Sequence, residues 1–288
     1  MLANETAAET GKNPSNTASP AGHRGNHVVD LLGVAFDNVS LFQTLDRIGQ
    51  MIASGRQHYV ATANVDFVVR ARRDPEFRRA LQGAHMILCD GTPLLWVSRW
   101  FRKPLCERVA GSDLVLPLLQ FAAEKKHRVF FLGTTPEINQ RAVNNVRRQF
   151  PGIIVDHYSP PFRPLHEMDN DDIARRIHAA EADIVLVAFG SPKAELWMAA
   201  NHQLIGAPVM IGVGATIDFL AGHVKRAPLW MRRTGTEWIF RLAQEPRRLF
   251  GRYMTDLWHF SQAVGTEWWN QKSSAKNFGY EHQDGKTL

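Results

Sequence analysis

Asp90 is the residue of this chain best placed for acid–base chemistry. It ends the apolar run that begins at Met86, and it precedes Gly91. An aspartate between a strand and a helix usually caps the helix, and its position favours that interpretation. A carboxylate in a partly buried pocket can also have a raised pKa and accept a proton from a substrate. The sequence leaves both roles open.

Three more polar residues lie in segments that could hold a substrate. Thr62 and Asn64 end another apolar run, and their side chains can either satisfy loop backbone groups or orient a sugar hydroxyl or phosphate. Arg108 lies in a turn-like segment before a helix. A loop arginine is usually solvated, but at the edge of a sheet it can hold a diphosphate through two parallel hydrogen bonds.

Two glycine-containing turns could bind an anion. The turn Gly190-Ser191-Pro192 precedes a helical segment that carries Lys193 and Glu195. Free N–H groups at the start of that helix can bind an anion, although the turn can also be a plain strand-to-helix connection. Gly212 and Gly214 begin like a dinucleotide-binding fingerprint, but the third glycine is absent. This absence argues against a nicotinamide or flavin enzyme.

The chain offers few candidates for a metal site. Asp169 and Asp171 form an Asp-x-Asp pattern that many sugar transferases use for a divalent metal, but capping of the following helix is the favoured interpretation. The twelve histidines show no paired metal-ligand spacing, and two cysteines, Cys89 and Cys106, cannot form a four-thiolate zinc site. We therefore expect no metal cofactor, and we expect free thiols in a reducing compartment such as the cytoplasm.

The segments that must position these residues alternate between strand-like and helix-like. Several strand-like segments are short, continuous apolar runs, which are typical of strands covered on both faces. The pattern predicts an α/β fold with mostly parallel, Rossmann-like sheets, helices on both faces and a C-terminal helical appendage. The predicted strands are Val28–Phe36, His58–Val65, Met86–Asp90, Arg128–Leu132, Ile153–Tyr158, Asp183–Phe189 and Val209–Val213.

Small residues follow several of these predicted strands. Gly133, Gly190 and Gly214 each stand at or just beyond a predicted strand end, as Thr62 and Asp90 do. In open parallel sheets, ligands bind at the edge formed by the carboxyl ends of the strands. We therefore expect these residues near one common site.

The chain has 288 residues and a formal net charge of +6, and this charge is concentrated near the C-terminus. Residues 225–252 contain eight basic and two acidic side chains, so this segment alone accounts for the excess. Five of the eight tryptophans lie at or beyond residue 230. Basic charge beside aromatic side chains suits an anionic partner such as a membrane surface, a nucleic acid or a phosphorylated ligand.

Composition divides the chain into four parts. Residues 1–27 have almost no large apolar side chains and are expected to be a disordered tail. Residues 28–235 are expected to form the α/β domain, 236–271 a basic, aromatic, membrane-associating appendage, and 272–288 a polar tail. The sequence has no run of about 18 apolar residues and no secretory signal pattern, so we expect no membrane-spanning helix.

The predicted appendage is amphipathic over residues 240–260. Its expected apolar sector holds Leu242, Leu249, Phe250, Tyr253 and Leu257. Arg241, Arg248 and Arg252 are expected together along one side, and Pro246 is expected to interrupt or restart the helix. A core-packed helix with a solvated basic flank and a helix lying on anionic lipid both fit this pattern.

Seven short motifs in order resemble those of the WecG/TagA/CpsF glycosyltransferases, glycosyltransferase family 26. They are T-A-N at 62–64, C-D-G-T-P at 89–93, R-V-A-G-S-D at 108–113, F-L-G at 131–133, F-G-S-P-K-A-E at 189–195, G-V-G-A-T-I-D-F at 212–219 and R-A-P-L-W at 226–230. The segment E-W-I-F-R-L-A-Q-E-P-R-R-L at 237–249 also looks like this family, and the likeness covers about residues 28–260. Family members often have glutamine where this chain has Ala194.

The resemblance implies transfer of a sugar from a nucleotide donor, usually a UDP-sugar, to a polyprenyl-diphosphate-linked sugar. It further implies inversion at the anomeric carbon and a role in cell-surface or exopolysaccharide biosynthesis, with the enzyme on the cytoplasmic face of the membrane. The expected partners are the UDP-sugar, the lipid-linked acceptor and an anionic membrane surface. No nucleic-acid partner is expected, and self-association stays open.

The resemblance also implies roles for individual residues. The aspartate that matches Asp90 is the proposed base, with the positions matching Thr62 and Asn64 beside it, and we add Arg108 as a catalytic candidate. The expected nucleotide-sugar site consists of Gly133, Gly190, Lys193, Glu195, Gly214 and Asp218. The expected diphosphate and membrane contacts are Arg226, Arg232, Arg233, Arg241, Arg248 and Arg252.

These residues suggest a mechanism. Asp90 can take the proton of the acceptor hydroxyl, while arginines and helix N-termini stabilise the departing diphosphate in place of a metal. Two other classes stay open from the residues. The arginine and tryptophan cluster is compatible with a basic nucleic-acid-binding α/β module, and the sheet is compatible with a nucleotide-sugar-modifying epimerase or dehydrogenase.

Overall fold

The computed structural model of this chain describes residues 28–281. The predicted tail over 1–27 and residues 282–288 lie outside the described residues, as do the side chains of Arg233, Arg248 and residues 274–281. The strands are β1 Val28–Leu31, β2 Val34–Asp37, β3 His58–Ala63, β4 Met86–Cys89, β5 Arg128–Gly133, β6 Ile154–Tyr158, β7 Ile184–Ala188 and β8 Val209–Gly212. The helices are α1 Leu41–Ala53, α2 Val65–Arg73, α3 Pro75–Gly83, α4 Thr92–Trp100, α5 Gly111–Lys125, α6 Pro136–Gln149, α7 Asn170–Ala179, α8 Lys193–Ile205, α9 Thr216–Leu220, α10 Leu229–Arg233, α11 Glu237–Gln244 and α12 Pro246–Glu281.

Strands β3 to β8 form one parallel sheet in the order β4-β3-β8-β7-β5-β6. The chain moves towards one edge from β3 to β4 and towards the other edge from β5 to β6. Such a reversal of direction creates a crevice at the carboxyl ends of the central strands, where ligands bind in doubly wound folds. The predicted α/β, Rossmann-like class with a C-terminal helical element is confirmed.

Strand β7 shows why the strands of this sheet are continuous apolar runs. Val185 and Val187 pack into the core on one face of the sheet, and Ile184 and Leu186 pack into the core on the other face. Because side chains alternate along a strand, a sheet covered by helices on both sides needs apolar residues at every position.

The N-terminal strand predicted over Val28–Phe36 is wrong. This segment is an antiparallel hairpin of β1 and β2, separate from the parallel sheet. Leu32 and Gly33 join the two strands with φ angles of 57° and 86°. Positive φ at both central residues is the backbone of the tight turn that matches strand twist.

The strand predicted over His58–Val65 is too long, and the helix that follows it was not predicted. β3 ends at Ala63, and α2 begins at Val65. Phe67 and Val68 are buried on this helix. Its apolar residues are mostly β-branched or aromatic, which favours strand by propensity, so burial in the core overrides the local preference.

Two helices begin at aspartate caps. The Asp74 carboxylate accepts hydrogen bonds from the N–H groups of Glu76 and Phe77 at 2.9 and 3.1 Å. The Asp169 carboxylate accepts a hydrogen bond from the N–H of Asp172 at 2.9 Å, which confirms the capping interpretation of the Asp-x-Asp pattern. Both caps satisfy N–H groups that have no partner inside the helix.

The C-terminal segment forms separate helices, and the apolar residues expected over 240–260 do not share one helix face. α11 ends at Gln244 and α12 restarts at Pro246, as predicted, so Leu242 belongs to a different helix from the rest of the expected sector. Within α12, Leu249 is buried whereas Phe250 and Leu257 are exposed. The single apolar sector is therefore wrong, because its residues belong to two helices and those on α12 include both buried and exposed side chains.

Part of α12 belongs to the core of the α/β domain. Phe260, Ala263 and Val264 are buried in the same core as Val185 and Val187 of β7. The helix continues past residue 272, the start of the predicted polar tail, as far as Glu281. Within residues 28–281, no helix combines the length and the hydropathy needed to cross a bilayer.

Candidate active site

Asp90 lies directly beyond β4 at the carboxyl edge of the sheet. Its N–H donates to the carbonyl oxygen of Ala63 at 2.9 Å, which extends the pairing with β3. Gly91, not Asp90, is the N-cap of α4, and α4 has no side-chain cap. The Asp90 Oδ2 instead accepts a long hydrogen bond of 3.4 Å from the N–H of Gly111. The interpretation of Asp90 as the cap of the following helix is therefore wrong.

The environment of Asp90 favours a carboxyl that can act as a base near neutral pH. Burial raises the pKa of Asp90 to about 7, against the lowering effect of Arg108 and Arg241. About a quarter of its side chain is still exposed, at 26%. A ligand hydroxyl can therefore reach a carboxyl whose proton affinity suits general base catalysis.

Arg108 connects three carboxylates at this point. Its Nη1 lies 3.6 Å from Asp90 Oδ1 and 3.8 Å from Glu237 Oε2, and its Nη2 donates to Asp113 Oδ2. Asp90 and Glu237 thus make only long contacts with Arg108, whereas Asp113 accepts a direct hydrogen bond from its guanidinium group. This pairing fixes Arg108 beside Asp90, where a solvated loop arginine would have no defined position.

Asp113 gathers two further arginines from the C-terminal part of the chain. Its Oδ1 accepts hydrogen bonds from Arg226 Nη2 and, at 3.2 Å, from Arg232 Nη1. Arg226 also donates to Ser112 Oγ at 2.8 Å. Asp113 was not predicted as a site residue, because its arginine partners lie 113 and 119 residues further along the chain.

Glu237 brings helix α11 to the same pocket. It is buried, and its Oε1 accepts a hydrogen bond from Arg241 Nη2 at 3.0 Å. The Arg241 guanidinium lies 5.6 Å from the ring centre of Phe219. Four arginines and three carboxylates therefore surround the pocket, and the excess of positive charge suits an anion such as a diphosphate.

Thr62 and Asn64 have different roles at the end of β3. Thr62 Oγ1 donates to the carbonyl oxygen of Gly212 at 3.0 Å, so its hydroxyl satisfies the backbone of the neighbouring strand. Asn64 Oδ1 is buried and has no hydrogen-bond partner among the described residues. Its backbone lies against Gly91. An unpartnered acceptor beside the Asp90 turn is suited to a donor group of a ligand.

Gly133, at the end of β5, and the glycines that follow β7 and β8 lie at the same edge of the sheet as Asp90. Gly133 has φ of 114°, and a Cβ there would lie 2.8 Å from the backbone of Ala188, so only glycine fits. Gly190 and Gly214 have φ of 75° and 54° and face open space. The structure thus brings the predicted glycines to one edge of the sheet.

Lys193 and Asp218 add charge on this side of the crevice. Lys193 Nζ donates to the carbonyl oxygen of Arg163 and lies 4.9 Å from the ring centre of Phe162, and burial lowers its pKa. Burial raises the pKa of Asp218, against a hydrogen bond from Thr134. Lys193 begins α8 after β7, and Asp218 lies on α9 after β8; β7 and β8 are neighbours in the sheet.

Glu195 lies beneath the crevice rather than in it. Its side chain is 4% exposed and packs against Gly212, and burial raises its pKa to about 7. Its Oε2 has no hydrogen-bond partner among the described residues. At this exposure, Glu195 offers almost no surface to a bound nucleotide.

The predicted C-terminal arginines separate into different locations. Arg226, Arg232 and Arg241 lie at the Asp90 pocket, as described above. Arg252 instead pairs with Asp66 on α2 at 3.1 Å and with Asp256 at 3.7 Å. Arg241 and Arg252 are therefore not on one side of one helix, and that prediction is wrong. The side chains of Arg233 and Arg248 lie outside the described residues.

The acidic side chains of the pocket are paired with arginines. Within the part of the chain that the structure describes, histidine, cysteine, aspartate and glutamate side chains form no group of three or more that could hold a metal ion. The groups on this edge that can bind an anion include guanidinium groups and backbone N–H groups.

Comparisons with known proteins identify the family of this chain. The model of the Glycosyl transferase WecG/TagA/CpsF family matches residues 29–274. An N-acetylglucosaminyldiphosphoundecaprenol N-acetyl-beta-D-mannosaminyltransferase of Bacillus spizizenii is 36% identical over 190 residues, which are 66% of this chain and 72% of that protein. A Staphylococcus aureus protein of the same name is 30% identical over 223 residues, 77% of this chain and 86% of that protein. The chain therefore belongs to the WecG/TagA/CpsF family of glycosyltransferases.

Proposed function

We propose that this chain is an inverting glycosyltransferase that moves a sugar from a UDP-sugar to a polyprenyl-diphosphate-linked sugar. Its place would be cell-surface or exopolysaccharide biosynthesis. The observation that carries the proposal is the Asp90 carboxyl, with a pKa of about 7, beside a pocket edged by arginines. Both named relatives transfer an N-acetyl-β-D-mannosaminyl group to N-acetylglucosaminyldiphosphoundecaprenol. N-acetylmannosamine is therefore the first donor sugar to test.

Asp90 supplies the base of a single displacement. The acceptor hydroxyl forms a bond to the anomeric carbon, the bond from that carbon to the UDP oxygen breaks, and the electron pair leaves with the diphosphate. Asp90 takes the proton that the hydroxyl loses. Asp113 and Glu237 are less suited to this step, because each accepts a direct hydrogen bond from an arginine.

Arginines supply the charge that the leaving diphosphate needs. Arg108, Arg226 and Arg232 converge on Asp113, close to Asp90. Preorganised cationic groups at a developing anion lower the barrier without a metal ion. We therefore propose a metal-independent reaction, with Lys193, Gly190, Gly214 and Asp218 on the nucleotide side of the crevice.

The C-terminal helices would hold the enzyme on the cytoplasmic face of the membrane. Large apolar side chains are exposed along α11 and α12, and several basic residues accompany them. They are Trp238, Ile239, Phe250, Met254, Leu257, Trp258, Trp268 and Trp269. Aromatic and basic residues together favour the interface of an anionic bilayer, where the lipid-linked acceptor also lies.

A donor screen with the full chain tests the proposed reaction. UDP-activated hexoses and N-acetylhexosamines are offered with a diphosphate-linked N-acetylglucosamine acceptor on a short lipid, and the product is followed by mass spectrometry. We expect transfer from at least one donor and the same rate with and without EDTA. Loss of transfer in EDTA that returns with added divalent metal would contradict the metal-independent mechanism, and no transfer from any donor would contradict the proposed function.

The pH dependence of transfer should report the base. Because burial raises the Asp90 pKa to about 7, the carboxyl is protonated and inactive below that pH, and kcat/KM is expected to rise as pH increases through about 7. Glu195 has a pKa raised to about 7 as well, so Glu195→Gln is the matched control. We expect the rise to persist in Glu195→Gln; its loss there would assign the titration to Glu195 instead.

A further inference from the structure

Helix α4 has an exposed aromatic face next to the active site. It begins two residues after Asp90, and its inner side buries Leu94 and Val97. On its outer side, Trp96 and Trp100 are 56% and 60% exposed. These two side chains lie one turn apart on the same face of the helix. Exposed aromatic patches of this kind mark surfaces that meet a partner.

The charged residues of this segment are all basic. Arg99 lies between the two tryptophans, and Arg102 and Lys103 follow the helix; all three are exposed. Residues 91–106 contain no aspartate or glutamate. Tryptophan and arginine on the outer face of one helix are the side chains that anionic lipid headgroups accommodate best, because the rings sit at the interface and the cations meet phosphate.

Helix α4 and the residue that follows it closely contact the C-terminal helical segment at both ends of α4. The side chain of Thr92, at its start, lies against Gly235 in the connection between α10 and α11. Beyond its end, Lys103 Nζ lies 4.0 Å from Glu267 Oε1 on α12, and Trp269 nearby on α12 is 67% exposed. The aromatic face of α4 and the exposed tryptophans of α12 therefore lie on adjoining surfaces.

We infer that the outer face of α4 is a second membrane-contacting surface, which places Trp96 and Trp100 among anionic lipid headgroups beside the Asp90 pocket. The inference rests on the proposed membrane-bound function and adds an element outside the basic C-terminal segment. This contact would fix the position of Asp90 relative to the bilayer. A helix that begins two residues from Asp90 and rests on the bilayer sets the catalytic carboxyl near the headgroup level, where the diphosphate of a lipid-linked acceptor lies.

Binding of the full chain to vesicles tests the inference. Vesicles of phosphatidylcholine with phosphatidylglycerol are sedimented with native protein and with Trp96→Ala/Trp100→Ala. We expect the double variant to bind at least about tenfold more weakly, because two large rings lose their contact with lipid. Arg99→Gln should bind anionic vesicles about fivefold more weakly, with no change on phosphatidylcholine alone.

A matched control removes two exposed apolar residues elsewhere. Ile154 and Leu204 are each 45% exposed, and Ile154 lies on β6, at the opposite edge of the sheet from β4 and α4. Ile154→Ala/Leu204→Ala should bind vesicles as the native protein does. Thermal unfolding and transfer to a short-chain, water-soluble acceptor should be unchanged in Trp96→Ala/Trp100→Ala, since neither tryptophan belongs to the core or to the Asp90 pocket.

A variant of α12 separates this inference from the proposed function. If Leu257→Ala/Trp258→Ala weakens vesicle binding while Trp96→Ala/Trp100→Ala binds as native, the inference for α4 is overturned and the membrane role of α12 stands. If the α4 variant alters only the oligomeric state in light scattering, a second copy covers this face and the inference is also overturned. Absence of transfer to the water-soluble acceptor from every donor would overturn the proposed function, whatever the vesicles show.

Discussion

Replacing Asp90 by asparagine is expected to lower kcat for sugar transfer by about 10²- to 10⁴-fold. The amide keeps the shape of the side chain but cannot accept the proton of the acceptor hydroxyl. The neighbouring Arg108 is held mainly by Asp113, so the pocket should keep its form and UDP should bind within about twofold of its native affinity. Transfer rates and calorimetric UDP binding measure the two quantities separately.

The same variant should be more stable than the native chain at alkaline pH. The folded-state pKa of Asp90, about 7, lies above its ordinary value of 3.8, so the native fold loses stability as pH rises between these values. An amide has no such loss, and the melting temperature of Asp90→Asn should exceed the native one above about pH 7. Asp171→Asn, at an exposed position on α7, is the control for both effects. Near-native kcat in Asp90→Asn would show that another group is the base.

Replacing Asp113 by asparagine should have the second largest effect. The carboxylate holds Arg108, Arg226 and Arg232, and its neutralisation leaves three guanidinium groups close together without their common partner. We expect kcat/KM to fall by about 10²-fold, because the arginines are no longer preorganised for the diphosphate. We also expect a loss of about 1–3 kcal/mol in the free energy of unfolding.

Asp113 acts by positioning arginines. Its test therefore needs a measured quantity that the loss of a purely structural residue would leave unchanged. The fall should appear in kcat more than in the KM for the acceptor, and Asp113→Glu should restore part of it. Asp172→Asn is the matched control, since Asp172 pairs with Arg175 and Arg176 at the start of α7, away from the crevice. An equal loss of activity in both variants would contradict the role of Asp113.

Local patterns in the sequence predict much of this fold. The apolar runs over Met86–Asp90 and Asp183–Phe189 become the parallel strands β4 and β7, because both of their faces are buried. The apolar pattern does not predict the hairpin of β1 and β2. Its turn contains Leu32, an apolar residue in a left-handed conformation, so the sequence looks like one continuous strand.

The sequence predicts those residues of the candidate site that follow a strand. It does not predict those whose role depends on a charged partner far away in the sequence. Asp90 and Gly190 stand at strand ends, and topology alone brings them to one edge. Asp113 and Glu237 acquire their role from arginines that lie far from them in the sequence. Arg252 shows the converse, since its place in a basic segment suggested a phosphate contact while the structure pairs it with Asp66.

The configuration of the product at its new glycosidic bond tests the central claim most directly. The claim is a single displacement in which Asp90 is the only base. With an α-linked UDP donor and the lipid-diphosphate acceptor, the one-bond coupling between C1 and H1, read by NMR, distinguishes the two outcomes. The account predicts a β-linked product. An α-linked product would contradict it, because retention requires a second displacement and a nucleophile that Asp90 acting as a base does not provide.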